Sequence, residues 1–304
     1  MKQGVVICFL VFSNSLFSQS ITGVVKDSKT NELLPYVNMV LLSQNKGTTT
    51  NSEGNYTFNI DQHKNDTLKV SFMGYKPVNV PLSNFSEDNN ILNISLEENV
   101  EAIEEVIVQV KKAKYGLKKA IGINKKLSKY GMSVQFGFES CLLVKNEKNN
   151  NGRVTKIAFF LDKNEQISFR SYPTYYRVNF YEYDEKLGIP GRLLSYKPIL
   201  IKPQKNKKQK IVLNLKDNHV LFPKSGLCVG IETVNPLPDR KINKIHTTYP
   251  NLVWTYDDDR LTWMSFMSRP WWERKYKIPS KRPFSKRKYF YTNPLIHVEV
   301  QYRK

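Results

Sequence analysis

Histidine and cysteine, on which most metal and nucleophile chemistry depends, are scarce here: four and three among 304 residues. His63, His219, His246 and His297 lie far apart, and none has the two-His-four-apart or His-x-x-Glu spacing by which zinc peptidases hold their metal. His297-Val298-Glu299 on a strand supplies two ligands and no third. No Gly-x-Ser-x-Gly elbow, P-loop or dinucleotide glycine pattern occurs. Ser285-Lys286-Arg287-Lys288 matches Ser-x-x-Lys only because the stretch is rich in lysine. Asp257-Asp258-Asp259 lacks both the alternate carboxylate spacing and the glycine of known calcium loops, and reads as a solvated turn. No catalytic residue, metal or cofactor is expected.

Long apolar runs are also missing. Lys2, the apolar Val5–Phe12 and the small residues Ser18 and Ser20 make residues 1–20 a secretory signal peptide. That run is too short to span a bilayer, which needs about 20 apolar residues. Cys8 lies too early to be lipidated at a cleavage site. No later segment spans, so an exported protein of the periplasm, outer membrane or cell surface is expected. Only Cys141 and Cys228 remain after cleavage, both in strand-like runs. An oxidising compartment permits a disulfide between them, and two buried free thiols are the other reading.

Acidic residues are few and unevenly placed. The chain carries 47 Lys+Arg against 27 Asp+Glu, a net charge of +20. Residues 19–110 hold 6 basic and 12 acidic side chains, whereas residues 111–304 hold 40 and 15. The basic excess belongs to the second half alone and calls for an anionic partner or surface there.

What is abundant is β-rich sequence. Between Ile21 and Glu98, short runs such as Ile21–Val25, Val37–Leu41, Tyr56–Ile60 and Leu68–Phe72 alternate apolar and polar residues. Turns at Asp27–Glu32, Pro35 and Asn51-Ser52-Glu53-Gly54 cut them. The runs Gly23-Val24-Val25-Lys26-Asp27, Leu34–Val40, Gly47–Thr50 with Gly54–Phe58, and Leu68–Tyr75 resemble, in order, the carboxypeptidase regulatory-like domain. That resemblance implies a seven-stranded transthyretin-like sandwich over residues 21–110, an envelope protein of Gram-negative bacteria, and no catalytic residues. Glu104-Glu105-Val106-Ile107-Val108 is similar to the segment after this domain in TonB-dependent outer-membrane receptors. Neither plug nor long barrel follows, and the length argues against such a transporter.

Residues 111–132 form a basic linker, with eight lysines and no acid from Lys111 to Tyr130. Ala113, Leu117, Ala120, Ile121 and Asn124 fall at helical spacing, so a short helix is expected, weakened by Gly116 and Gly122. Its narrow apolar face suits a docked connector better than a membrane-surface helix, though peripheral membrane contact is a role for it.

From residue 133 to 304, about ten short strands without long helices predict a second, basic sandwich. Val178–Glu182, Gly188-Ile189-Pro190-Gly191 and Phe222–Glu232 are similar to jelly-roll modules found beside the same first domain. Val134–Phe138 reads as one of these strands, and Leu252–Tyr256 and Leu261–Phe266 flank Asp257–Arg260 as a hairpin would. Trp254 and Trp263 would then face each other across it in the core.

The fold class expected is all-β: two sandwiches joined by a helical linker. All four tryptophans lie between Tyr249 and Tyr276. Trp271 and Trp272, with the following Arg274, Lys275, Tyr276, Lys281, Arg282, Lys286, Arg287 and Lys288, form the candidate contact surface. Basic and aromatic side chains together suit nucleic acid, but export disfavours that partner. An envelope protein, an anionic surface or a glycan meets the same charge. The function expected is a non-catalytic binding module, with carbohydrate binding by the Trp/Tyr cluster as the alternative.

Overall fold

The computed structural model describes residues 20–44, 46–60, 63, 65–85, 90–99, 113–123, 129–194, 197–240, 242, 244–279 and 289–304. The expected leader up to residue 19, the Val106–Val110 run and the linker residues 111, 112 and 124–128 lie outside them. So do Lys281, Arg282, Lys286, Arg287 and Lys288.

The first sandwich contains β1 (Ser20–Asp27), β2 (Asn38–Leu41), β3 (Gly47–Thr49), β4 (Asn55–Asn59), β5 (Thr67–Ser71), β6 (Val78–Pro81) and β7 (Ile94–Leu96). One sheet has the order β4-β1-β7, the other β3-β2-β5-β6. Alternation works as expected: Ile21 and Val25 from one sheet, Met39, Leu68 and Val70 from the other, are buried together. Each such aliphatic side chain contributes about 1.5–3 kcal/mol by leaving water.

The second sandwich begins with β8 (Tyr115–Gly122), β9 (Lys129–Met132), β10 (Phe138–Val144), β11 (Gly152–Asp162), β12 (Ser171–Pro173) and β13 (Tyr175–Asp184). It continues with β14 (Ile189–Leu193), β15 (Ile199–Ile201), β16 (Gln209–Asn214), β17 (Leu221–Phe222), β18 (Leu227–Val234) and β19 (Thr247–Tyr249). It ends with β20 (Asn251–Asp257), β21 (Thr262–Phe266), β22 (Trp272–Glu273), β23 (Lys277–Pro279), β24 (Tyr289–Pro294) and β25 (Ile296–Arg303). A seven-stranded sheet runs β14-β13-β18-β10-β21-β22, with β15 on β13. A nine-stranded sheet runs β23-β24-β20-β11-β25-β8, with β9, β16 and β17 attached. Leu142, Phe180 and Val229 of the first meet Phe159, Trp254 and Val298 of the second in one core.

Three expectations are corrected. The helix placed in the basic linker is strand β8, an antiparallel edge on β25 with Ile121 opposite Val298. Pairing with β25 satisfies backbone groups that a glycine-weakened helix with a narrow apolar face could not stabilise. Gly122, at φ 126°, is far from helical, and the lysines of this edge stand in water, Lys118 pairing with Glu299 at 2.8 Å. The Asp257–Arg260 turn is not a hairpin: β20 and β21 lie in opposite sheets, so the chain crosses the sandwich there. Trp254 fills the main core and Trp263 a separate cluster with Cys141, Leu143 and Cys228. Finally, residues 134–137 are not a strand; the strand starts at Phe138 after a turn at Gly137, φ 80°.

The seven-stranded sheet buries both faces. Tyr176, Val178 and Phe180 of β13 point into the core, so Arg177, Asn179 and Tyr181 point out. In register, Glu139 of β10 sits opposite Glu232 of β18, which sits opposite Arg177 of β13. Gly230 lies one step along that face, and a Cβ there would stand 1.9 Å from Glu139 Oε1. Gly230→Ala is therefore expected to destabilise the protein by about 1–3 kcal/mol in urea denaturation. An unchanged midpoint would show that Glu139 does not occupy this space.

Candidate functional site

The outer face of the seven-stranded sheet is where the first sandwich docks. Glu232 accepts from Asn38 Nδ2 of β2 at 2.8 Å and pairs with Arg177 at 3.1 Å, with both members of the ion pair buried. The other arm of Arg177 donates to the carbonyl of Tyr36. Tyr36 takes φ 57°, a conformation costly for a bulky residue, and its ring meets Tyr175 edge-on at 6.2 Å. Lys69 donates to the Ser268 carbonyl at 2.9 Å and Arg269 to the Leu42 carbonyl at 3.0 Å. Val40, Phe266 and Met267 form a small apolar contact beside them. Met267 occupies the space a side chain at Gly47 would need: its Sδ lies 2.2 Å from the Cβ position.

That contact separates two cavities. The larger, about 880 Å³, opens between β3 and its preceding turn on one side and the segments around Gln135–Phe138 and Asn235–His246 on the other. Among the described residues that line it, the cations are Lys46, Arg240 and Lys244, with His63 and His246, and there is no carboxylate. Phe136, Phe138 and Phe266 give it an aromatic floor. The Phe136 N–H donates to His246 Nε2 at 3.1 Å, and the two rings lie 5.0 Å apart. Tyr172 meets the same imidazole edge-on at 5.8 Å, and the Arg240 guanidinium lies 5.2 Å from the Tyr172 ring. Charge and flat apolar surface converge, which suits an anionic ligand with a ring or apolar face.

The smaller cavity, about 260 Å³, lies on the other side of the contact, between β5 of the first sandwich and β13, with Trp271 in its wall. Trp271 stands edge-on to Tyr181 at 5.3 Å.

The sequence-predicted surface is divided by the fold. Trp271 is half-buried against the Cys141 cluster, and Trp272 is 43% exposed, edge-on to Phe138 at 6.1 Å. Arg274 is committed to structure: its guanidinium lies 4.7 Å from the Trp254 ring and 5.5 Å from that of Tyr276, and its Nε donates to Thr292 Oγ1 at 3.0 Å. Lys275 and Tyr276 are exposed. Cys141 and Cys228 sit diagonally on β10 and β18, both buried and free. Burial, with hydrogen bonding to Cys228, pushes the Cys141 thiol well above its ordinary range. Asp259 of the acidic turn pairs with Lys145 at 2.9 Å. Among the described residues no group of three or more His, Cys, Asp or Glu could hold a metal ion.

The larger cleft was missed by sequence reasoning, because its lining comes from five separated segments. The one local signal was Arg240 to His246, a short basic run ending in histidine.

Residues 21–108 match the model of the CarboxypepD_reg-like domain family. The first sandwich is a CarboxypepD_reg-like domain. Domains of this type are non-catalytic. The TonB-dependent receptor SusC of Bacteroides thetaiotaomicron is 34% identical over 109 residues, which is 34% of this chain and 10% of the receptor. This chain therefore spans about a tenth of that relative's length. A crystal structure of a candidate carbohydrate binding protein from Bacteroides uniformis aligns over 94% of this chain and 98% of its own, at 9% identity and a TM-score of 0.22. One of a candidate membrane-associated protein of unknown function from Bacteroides fragilis covers 94% and 97%, at 11% identity and a TM-score of 0.20. Likeness at those TM-scores bears on neither fold nor ligand. Among the described residues no helix is long and apolar enough to cross a membrane.

The docking face has a pH signature. Burial first, then the facing charge of Glu232, pushes the Glu139 carboxyl up to about 8. Unfolded, the same group titrates near the usual ~4.3. Between those values the native state keeps a proton that the unfolded chain has lost, so stability falls as pH rises through the window. Urea midpoints from pH 5 to 8 are expected to decline, with a slope from this group of at most about 1.4 kcal/mol per pH unit. Glu139→Gln is expected to flatten that decline; an identical slope in the variant would refute the assignment. Separately, Arg177→Ala leaves Glu232 buried and unpaired, and a loss of about 3–5 kcal/mol is expected in the same assay.

Proposed function

We propose that this protein is a non-catalytic, exported binding protein of the cell envelope whose ligand is anionic and sits in the basic cleft between the two sandwiches. The observation that carries this reading is the cleft lining: among its described residues, three cations and two histidines lie over an aromatic floor, with no carboxylate. The surplus of basic over acidic residues after residue 110 favours anions over a longer range. The CarboxypepD_reg-like domain supports a non-catalytic role and supplies Lys46 and His63 to the cleft.

An acidic glycan fits this chemistry, since it offers carboxylates to the cations and ring faces to the aromatic floor. Nucleic acid would fit the charge too, but the apolar leader of residues 1–20 disfavours it. The Trp/Tyr cluster is divided: Trp272 and Tyr276 are exposed and open to a sugar face, whereas Trp254 and Trp263 are buried, as expected, and Arg274 is held in place between rings.

Calorimetric titration with an oligo-uronate and with a neutral oligosaccharide of equal length tests the reading. Binding of the uronate is expected, weakening as salt rises from low to high concentration. Arg240→Ala with Lys244→Ala is expected to cost about 10- to 100-fold in affinity. Equal binding of both oligosaccharides, or affinity unchanged in the double variant, would sink it.

A further inference from the structure

The turn between β21 and β22 is strained. Met267 and Ser268 take φ of 45° and 61°, and the Arg269 N–H closes the turn on the Phe266 carbonyl at 3.0 Å. Two successive left-handed residues in a tight turn suit Asn-Gly, because a larger side chain there crowds the backbone. Met and Ser keep that conformation only where the surrounding contacts impose it.

Part of the hold is internal to the second sandwich. The Met267 N–H donates to the Gly137 carbonyl at 2.8 Å, and Ser265 Oγ to the Arg269 carbonyl at 2.7 Å. The rest comes from one face of the first sandwich, where Val40 sits opposite Gly47 on one side and Lys69 on the other. Lys69 donates to the Ser268 carbonyl, Arg269 donates to the Leu42 carbonyl, and Val40 clusters with Phe266 and Met267. Met267 is gripped between two glycines, one from each domain. A Cβ on Gly137 would stand 2.7 Å from its Cγ, and one on Gly47 would overlap its Sδ. This grip closes only when the domains are together. Its buried apolar part is three side chains, and domain contacts that are small and largely polar ordinarily permit relative motion.

We infer that the turn at residues 266–269 is a latch between two states of the protein. Docked, it is held left-handed by the first sandwich; undocked, it relaxes, and the two states exchange without unfolding. The latch also governs the larger cleft, since Phe266 and Met267 line it together with Lys46, Gly47, Thr48 and Thr49 of the other domain. An anion seated there touches both domains and holds the latch shut. That last step rests on the binding role proposed above; the latch itself does not.

Thiol labelling of a Val40→Cys variant in native buffer tests it. Position 40 is fully buried at the contact and opens on undocking, whereas Cys141 and Cys228 are covered by side chains of their own sandwich. The introduced thiol is expected to label at least about tenfold faster than either native one. Added in that background, Ser268→Gly relieves the left-handed turn and keeps the carbonyl that Lys69 holds, so labelling is expected to slow about threefold. Gly47→Ala displaces Met267 and is expected to speed labelling about tenfold. Lys69→Met, which removes one bond to the turn, is expected to act in the same direction more mildly. Circular dichroism melts confirm that each variant is folded. An oligo-uronate at ten times its dissociation constant is expected to slow labelling about tenfold. A Val40→Cys rate equal to that of Cys141 would overturn the latch, because the domains would then part only on unfolding. So would a rate that Ser268→Gly leaves unchanged, or that neither Gly47→Ala nor Lys69→Met raises. A uronate that binds by calorimetry yet leaves the rate unaltered would overturn the coupling to the cleft. A uronate that does not bind removes the cleft reading and that coupling with it, and the variants alone then decide the latch.

Discussion

The ion pair between Arg177 and Glu232 is the constraint on which the domain arrangement depends. A guanidinium and a carboxylate removed from water are costly, and the pair is tolerable only if the remaining hydrogen-bonding positions are filled. Those positions are filled by the other domain, through the Asn38 amide and the Tyr36 carbonyl. The second sandwich thus carries a charged row that its own strands cannot satisfy. Docking is a matter of completing hydrogen bonds as much as covering apolar surface.

From that row the rest of the interface follows. Alternation along β10, β13 and β18 sends one residue in two toward the core and the next to the outer face, which the first sandwich covers at Arg177 and Glu232 and the Trp263 cluster covers at Cys141 and Cys228. The apolar contact of Val40 with Phe266 and Met267 is small, and the gaps on either side of it are the two cavities. Side chains of both sandwiches line each cavity. Ligand sites at domain boundaries commonly form in this way.

Much of the architecture was legible in the sequence. Alternating runs located the strands of the CarboxypepD_reg-like domain, and Leu252–Tyr256 falls within β20. Periodicity failed where it was shortest: the spacing of Ala113, Leu117 and Ala120 suits a helix, but a partner strand more than 170 residues away in sequence decided otherwise. The turn at Asp257–Arg260 is locally indistinguishable from a hairpin, since only the sheet to which β21 returns shows that it crosses over. The candidate site was the least legible part. Arg240 and His246 gain meaning only beside Lys46 and His63, and Asn38 only beside Glu232. The tryptophans drew attention by their rarity, yet two are core residues.

The shared hydrogen bonds also bear on modularity. CarboxypepD_reg-like domains are readily pictured as interchangeable beads. Here, however, the bead presents a backbone carbonyl from a left-handed tyrosine and one particular amide to its neighbour. A graft of another family member would have to reproduce both at the same spacing, or leave a charge stranded in the joint. A change at position 38 would thus leave the Glu232 carboxylate short of a donor unless position 232 changed with it.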